Sequence, residues 1–391
     1  MQEFTGKHYL KIDVANSFAK DKLNWDERIK WFDENISSLD PKEAEEPCMA
    51  YAGIKAFKDA EKGKPSGYPI SLDATCSGMA WLSILVQDVG GCTLTNVIDS
   101  GQRIDAYTTV FNTVKAKLPN LRGVSRTEAK DAVMTSLYSS IVEPEKIFGS
   151  DVDVFYQTMY ELMPRTWSLN SFMLDIWDPK VTEHRWIMPD GFDVITPVYR
   201  NSEYSFDFLD QTYTYTKKEV GTKKRGRSLC ANLAHSVDSL AVRELVRRCS
   251  YDPETYNRAV DTLFGSKAYR GTKKEYELAE RLALLYRTTG FLSMRVLDCL
   301  NYNTVNMFPH KELCLLLKSL PKKPFSVLTI HDAFRVLPNY GNDLRKQYRE
   351  VCIQVGNSGL LNWILFSMRE GASFQVGENI TNKFGCDYAI C

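Results

Sequence analysis

Residues 71–82 read Ser-Leu-Asp-Ala-Thr-Cys-Ser-Gly-Met-Ala-Trp-Leu, and the reading of this stretch decides the fold. A short apolar run ends in an acid, Asp73. Small residues follow (Ala74, Cys76, Ser77, Gly78), and then an amphipathic segment, Met79 to Val86. Strand, acid, tight turn and helix start present a carboxylate at a sheet edge. Many surface loops share that look, so the stretch needs a counterpart. Residues 326–334 supply one: Ser-Val-Leu-Thr-Ile-His-Asp-Ala-Phe, a β-rich run delivering Asp332 beside His331. Two carboxylates on two strands, far apart in sequence, are what a two-metal phosphoryl-transfer site requires.

Composition narrows the class. A chain of 391 residues allows two or three domains and a large core. It is 44% apolar and 25% charged, as in ordinary globular proteins. Apolar runs such as Cys314 to Leu317 are core-sized and fall well short of the ~18 residues of a membrane span. The start, Met-Gln-Glu-Phe-Thr-Gly-Lys, is not a signal peptide. Ten cysteines without CxxC pairs read as reduced core thiols rather than disulfides or a zinc site. A formal net charge of zero gives no global support for nucleic-acid binding, so that case rests on local patches.

Working outward, Trp25 to Ile36 has a helical pattern. Lys30 within it reads, on charge patterning alone, as a solvated lysine. Lys62 to Tyr68 is a loop leading into the Asp73 strand. Asp99 to Lys117 reads as a helix containing Tyr107, a residue type more often packed than reactive. Arg126, Lys130, Met134 and Tyr138 then fall at steps of four, each step turning a helix face by only ~40°. Two cations one turn apart repel unless an anion faces them. A triphosphate supplies that anion; an exposed basic face paired with Glu128 and Asp131 is the plainer alternative. Residues 151 to 185 look helical. Trp186 to Val194 reads strand, Pro-Asp-Gly turn, strand. Further alternation runs through Tyr213 and Tyr215 to a basic tip of Lys217, Lys218, Lys223, Lys224, Arg225 and Arg227. That tip suits a phosphate backbone or a solvated loop. His235 precedes a helix-rich stretch reaching about Leu320.

Three stretches together carry a resemblance. Asp-Ala-Thr-Cys-Ser-Gly at 73–78, R-x3-K-x3-M-x3-Y at 126–138 and Ile-His-Asp-Ala-Phe at 330–334 resemble motifs A, B and C of the single-subunit, phage-type RNA polymerases, which include the mitochondrial enzymes. Tyr9-Leu10-Lys11-Ile12 with Glu27-Arg28-Ile29-Lys30 is similar to the family's segment before motif A. Pro189-Asp190-Gly191-Phe192 is similar to the start of its promoter-reading hairpin, and residues 386–391 to its C-terminal tail. The resemblance implies that Asp73 and Asp332 hold two Mg²⁺ ions with the Ala74 carbonyl as a further ligand. It implies that Lys130 and Arg126 hold the triphosphate, with Lys30 near the phosphate exit. Tyr138 would stack beside the nucleotide sugar, Tyr107 and His235 would lie along the hybrid, and His331 would position the primer end. Gly78 stands where related DNA polymerases carry a glutamate that blocks a ribose 2′-hydroxyl, which implies ribonucleotide preference.

The expected architecture is α+β, a right-hand polymerase core. Its discontinuous palm covers about 1–98 and 320–391, with a small antiparallel sheet. Mainly helical fingers cover 99–319, including a promoter-type hairpin at about 186–228 and a helical insertion at about 245–305. Two departures stand out. Ser139 replaces the glycine that follows the family's motif-B tyrosine, and Pro144 should end or bend that helix early. The expected activity is templated RNA synthesis on DNA from ribonucleoside triphosphates, inside an infected bacterial host, with no membrane contact. The alternatives are a related DNA polymerase and an inactive polymerase-like nucleic-acid-binding module. Family members carry a thumb and a first palm segment ahead of the region matched here. A smaller second subunit is therefore expected to supply them, as in the heterodimeric RNA polymerases of Enquatrovirus-like podophages. An accessory factor for promoter opening is also expected.

Overall fold

The computed structural model describes all residues except 120, 122 and 266–268. Helices α1 (Gly6–Ser17), α2 (Trp25–Asn35) and α3 (Pro47–Glu61) lead into strand β1 (Ile70–Asp73). Asn24 and Glu27 close a capping box at the start of α2, which satisfies backbone N–H groups that a helix start leaves free. Helix α4 (Ser77–Val86), buried from Met79 onward, and the short α5 (Val89–Leu94) follow β1. A helical layer comes next: α6 (Ala106–Lys117), α7 (Arg126–Leu137), α8 (Val142–Phe148), α9 (Val152–Leu162) and α10 (Pro164–Asp175). The expected helix over 99–117 starts only at Ala106, because the Asp105 side chain accepts from the Tyr107 and Thr108 amides and caps it there.

Two hairpins follow. Strands β2 (Glu183–Ile187) and β3 (Asp193–Pro197) flank the Pro189-Asp190-Gly191 turn. Asp190 is buried and ion-paired to Arg243 (2.6 Å) and Arg247 (2.9 Å). Strands β4 (Tyr199–Phe208) and β5 (Gln211–Val220) then form a separate two-stranded ribbon. Its tip is not basic. The turn falls at Leu209 and Asp210, both with positive φ, while Lys217 and Lys218 lie toward the base and Lys223 to Arg227 lie beyond it. One ribbon face carries stacked, exposed aromatics: Tyr204 on Tyr215 and Phe206 on Tyr213.

Helix α11 (Leu229–Cys249) runs unbroken through the start of the stretch read as an insertion at about 245–305. A helical unit with its own apolar cluster occupies the residues after it. It contains α12 (Pro253–Phe264), α13 (Lys273–Thr289) and α14 (His310–Ser319), and its core reaches Leu320. The chain then returns to the first sheet through β6 (Leu328–Ile330) and β7 (Ala333–Val336), and closes with α15 (Gly341–Gly356) and α16 (Leu360–Met368).

The architecture is α+β. The central sheet has the order β1-β7-β6, all antiparallel, with Asp73 opposite Ala333 and Leu72 opposite Phe334. Leu72 and Phe334 are buried in the main core with α4, α11 and α15; the opposite face of the sheet is open. Residues 389–391 cover the other edge of β1, through Thr75 N to Ala389 O (2.8 Å) and Cys391 N to Asp73 O (2.9 Å). All ten cysteines are free; seven are buried, as read from the sequence, while Cys76 and Cys314 are half-buried and Cys48 is exposed. Among the described residues no single helix is long and apolar enough to cross a membrane.

Candidate active site

The two acids meet because the sheet brings them together. Asp73 is the last residue of β1, and Asp332 occupies the two-residue turn between β6 and β7. The Ala74 amide donates to the Asp332 carbonyl (3.2 Å), tying the two stretches at the backbone. His331, the other turn residue, has φ +54°, a left-handed conformation that costs a non-glycine residue of order 1 kcal/mol or more. Cys76, between Asp73 and α4, also has positive φ (59°). Strain on both sides of the carboxylates marks the place where chain direction is sacrificed to position side chains.

Asp73, Ala74, Gly78, Lys130, Tyr138, His331 and Asp332 all line one cleft of about 950 Å³. The Asp73 carboxylate is reachable by solvent, yet the cleft walls crowd water from around it. Burial and the neighbouring Asp332 raise its pKa above the ordinary value. Ser71 Oγ donates to it (3.3 Å). Two carboxylates and a main-chain carbonyl are hard oxygen donors. Mg²⁺ typically takes one or two carboxylates and completes its shell with water and substrate phosphate, so these residues fit that ion.

Lys130 reaches the cleft from α7 and lies over the Tyr107 ring, 5.6 Å from its centroid. The Tyr107 hydroxyl accepts from Cys76 Sγ (2.9 Å), which joins α6 to the turn after Asp73. Tyr138 caps α7, and burial first among the causes pushes its phenol up to about 12. Its ring meets the His235 ring edge-to-face at 5.3 Å.

Not every expected residue converges here. Arg126 turns away to pair with Asp105 and donates to Thr108 Oγ1 (2.7 Å), so it does not line the cleft. Lys30 is exposed on α2, 3.8 Å from Glu34. The cations from Lys217 to Arg227 flank the ribbon base. One of them, Arg227, donates to the Ser139 carbonyl (3.0 Å) and so ties that base to the end of α7. The proline expectation fails for a local reason: Pro144 sits in the first turn of α8, where a missing N–H is tolerated. Helix α7 ends instead at Leu137, with Tyr138 as its cap and Ser139 just beyond at φ +65°.

Ser139 therefore occupies a left-handed position that suits glycine, and it is stabilised by its hydroxyl bond to Asn170. Ser139→Gly relieves about 1 kcal/mol of backbone strain and loses a hydrogen bond of similar worth, so its melting temperature should stay close to wild type. Ser139→Val, branched at Cβ, should lose roughly 2 kcal/mol or more in the same thermal melt.

Sequence reasoning missed Asp13, Arg103 and Cys391, which also line the cleft. Asp13 is buried on α1 and accepts from Ser71 N (2.8 Å) and Tyr68 Oη (2.5 Å), bracing β1 two residues before Asp73. An acid inside the apolar run Leu10 to Ala15 was the available signal. Cys391 Sγ accepts from Arg103 Nε (3.4 Å) and Arg28 Nη2 (3.7 Å). Against the effect of burial, these guanidiniums hold its thiol below the ordinary value.

Burial pushes the Asp13 carboxyl up to about 6, against the hydrogen bonds from Ser71 and Tyr68. Between pH 4 and 6 the folded chain thus binds more protons than the unfolded one, and stability falls as pH rises through that window. The loss by pH 7 should be roughly 2–3 kcal/mol in urea unfolding, and Asp13→Asn should remove it. An unchanged slope in that variant would assign the pH dependence elsewhere.

Comparison with known proteins follows the same outline. Residues 3–143 match the family model described as DNA-dependent RNA polymerase. The DNA-directed RNA polymerase of Pseudomonas phage phiKMV is 31% identical over 173 residues, covering 34% of this chain and 21% of that protein. That of Enterobacteria phage K11 is 29% identical over 130 residues (29% and 14%). The mitochondrial DNA-directed RNA polymerase of Neurospora crassa is 26% identical over 145 residues (32% and 10%). The chain thus spans less than a quarter of the length of these relatives. The family match contains Asp73 and the whole of α7, and the sheet sets Asp332 beside that Asp73. By this match over residues 3–143 and these relatives, the chain is similar to the phage-type DNA-dependent RNA polymerases.

Proposed function

We propose that this chain carries the catalytic centre of a DNA-dependent RNA polymerase of the right-hand type. The palm would be formed by the β1-β7-β6 sheet with its flanking helices, and the fingers by the α6–α10 layer. The observation that carries this reading is the junction of Ala74 N with Asp332 O on a cleft that also holds Lys130 and Tyr138. Asp73, Asp332 and the Ala74 carbonyl would hold two Mg²⁺ ions. Once bound, these supply an activated 3′-hydroxyl and charge neutralisation at the triphosphate.

The chain's own residues divide the remaining work. Lys130 faces the incoming triphosphate and delivers a proton to the departing pyrophosphate oxygen. Arg126 is one turn before it and joins the phosphates by exchanging its Asp105 partner for them. Tyr138 packs against the nucleotide sugar, and His331 holds the primer end from the turn beside Asp332. Tyr107 and His235 border the path of the template–product hybrid. The cations at the ribbon base, Lys217, Lys218, Lys223, Lys224, Arg225 and Arg227, contact the DNA backbone.

The edge strand β6 supports a second subunit. Leu328 and Ile330 are exposed on it, 58% and 51%, and no further strand pairs beyond β6 among the described residues. An open edge with apolar side chains is a surface that proteins normally cover. A smaller polypeptide adding to this edge would complete the palm, with an accessory factor assisting promoter opening. The phage relatives support a setting inside an infected bacterium for this activity.

The test is Mg²⁺-dependent primer extension on a DNA template, by the purified chain alone and with candidate partner subunits. Ribonucleotide addition that appears only with a partner supports the full reading. Full processive synthesis by the chain alone would remove the second subunit, and a strong intrinsic preference for deoxynucleotides would convert the reading to a DNA polymerase.

A further inference from the structure

The ribbon of β4 and β5 has nothing packed on its outer half. Among the described residues no third strand pairs with it, and every residue from Glu203 to Lys218 is exposed. A lone two-stranded ribbon is marginal in water unless something covers it. Alternation along the paired strands places Tyr204, Phe206, Phe208, Tyr213 and Tyr215 on one face, with Leu209 at the turn. The five rings are 40–58% exposed and Leu209 is 78% exposed. At ~150–250 Å² per aromatic side chain, half exposure leaves roughly 500 Å² open. That is a large apolar patch for a protein that works alone.

Charge decides what covers it. From Glu203 to Thr216 there are three acids, Glu203, Asp207 and Asp210, and no cation. The ribbon's cations, Arg200, Lys217 and Lys218, lie toward its base. Lysine and arginine supply the sequence-independent affinity for a phosphate backbone, so an acidic outer half repels DNA. Unpaired bases stack on aromatic platforms that line a basic groove, which is absent here. The rings also stack on one another across the strands, Tyr204 on Tyr215 at 5.5 Å and Phe206 on Tyr213 at 5.6 Å. A second copy of this chain would set three acids against three. An aromatic centre with a charged rim is instead the anatomy of a contact between different proteins.

We infer that the outer half of the ribbon, residues 203–216, docks a protein partner whose surface is an apolar groove rimmed by lysine or arginine. The base keeps the nucleic-acid contacts proposed above, so the ribbon joins a bound protein to the DNA at its root. The docking surface itself does not depend on that reading.

The experiment places p-benzoylphenylalanine at position 206 of the assembled enzyme in infected cells and identifies the cross-linked product by mass spectrometry. The partner so named is purified, and its binding is measured with wild type and two double variants. Phe206→Thr with Tyr213→Thr keeps strand-forming residues but deletes two rings, and should weaken binding at least tenfold. Asp207→Lys with Asp210→Lys leaves every ring in place. It should slow association by about tenfold and remove its salt dependence. Duplex and single-stranded DNA of mixed sequence are the other probes, and the ring variant should bind both as wild type does.

Cross-links only to nucleic acid, or only to a second copy of this chain, would overturn the proposal, as would the absence of any protein cross-link. A ring variant that binds DNA more weakly but the purified partner normally would return the outer half to the nucleic acid. Association unchanged by the two lysines would overturn the basic rim.

Discussion

Asp73→Asn and Asp332→Asn should each lower the rate of primer extension by roughly a thousandfold or more. Losing a carboxylate from a two-metal site removes several kcal/mol of transition-state charge stabilisation, and each 1.36 kcal/mol is about tenfold in rate. The same substitutions should not unfold the chain. Burial and Asp332 raise the pKa of Asp73, which means that the ionised carboxylate costs the folded state stability at neutral pH. A neutral amide removes that cost, so Asp73→Asn should melt at or slightly above the wild-type temperature while losing its chemistry. Catalysis lost together with a large drop in melting temperature would instead mark the acid as a structural residue. Near wild-type elongation by either variant would end the two-metal assignment.

Lys130→Ala should cost about a hundredfold in the rate of nucleotide addition, the lower end of what a positioned general acid contributes. Lys130→Arg keeps the charge but not the acidity, because a guanidinium does not deprotonate in this range. The arginine variant should therefore recover nucleotide binding, seen as a near-normal KM, and leave most of the kcat defect in place. Equal kcat for lysine and arginine would reduce Lys130 to a phosphate-neutralising charge. Tyr107, whose ring lies under Lys130, offers a control: Tyr107→Leu removes the ring and should raise KM more than it lowers kcat.

How much of this was legible in the sequence depends on whether a residue's placement is local or global. Asp73, Lys130 and Tyr138 lie in short stretches whose spacing already orients them, and α7 is set by a capping box at Ser125 and Glu128. The antiparallel sheet followed from two β-rich runs that each deliver an acid. The ribbon was legible as alternation, but its turn was not. Leu209 and Asp210 take left-handed conformations with no Asn-Gly or Asp-Gly signal, and the tip was therefore placed too far along the chain. Arg126 has the right spacing yet turns to Asp105, a partner 21 residues away that spacing on one helix cannot reveal. Asp13, Arg103 and Cys391 belong to three segments distant in sequence and meet only through the packed fold.

The central sheet has one more consequence, in biosynthesis. Strand β1 is flanked by β7 on one edge and by residues 389–391 on the other. Its nearer neighbour, Ala333, is about 260 residues further along the chain, and closing so long a loop costs roughly 5 kcal/mol of chain entropy. At ribosomal speeds of about 5–20 residues per second, β1 waits roughly 10–50 s without a partner on either edge. During that interval Ile70 and Leu72 lack the part of their cover that β7, α11 and α15 supply in the finished core. The central sheet is thus among the last parts of the molecule to form during translation. Nascent chains stopped before β7 present an apolar strand without its sheet partner, prone to aggregation.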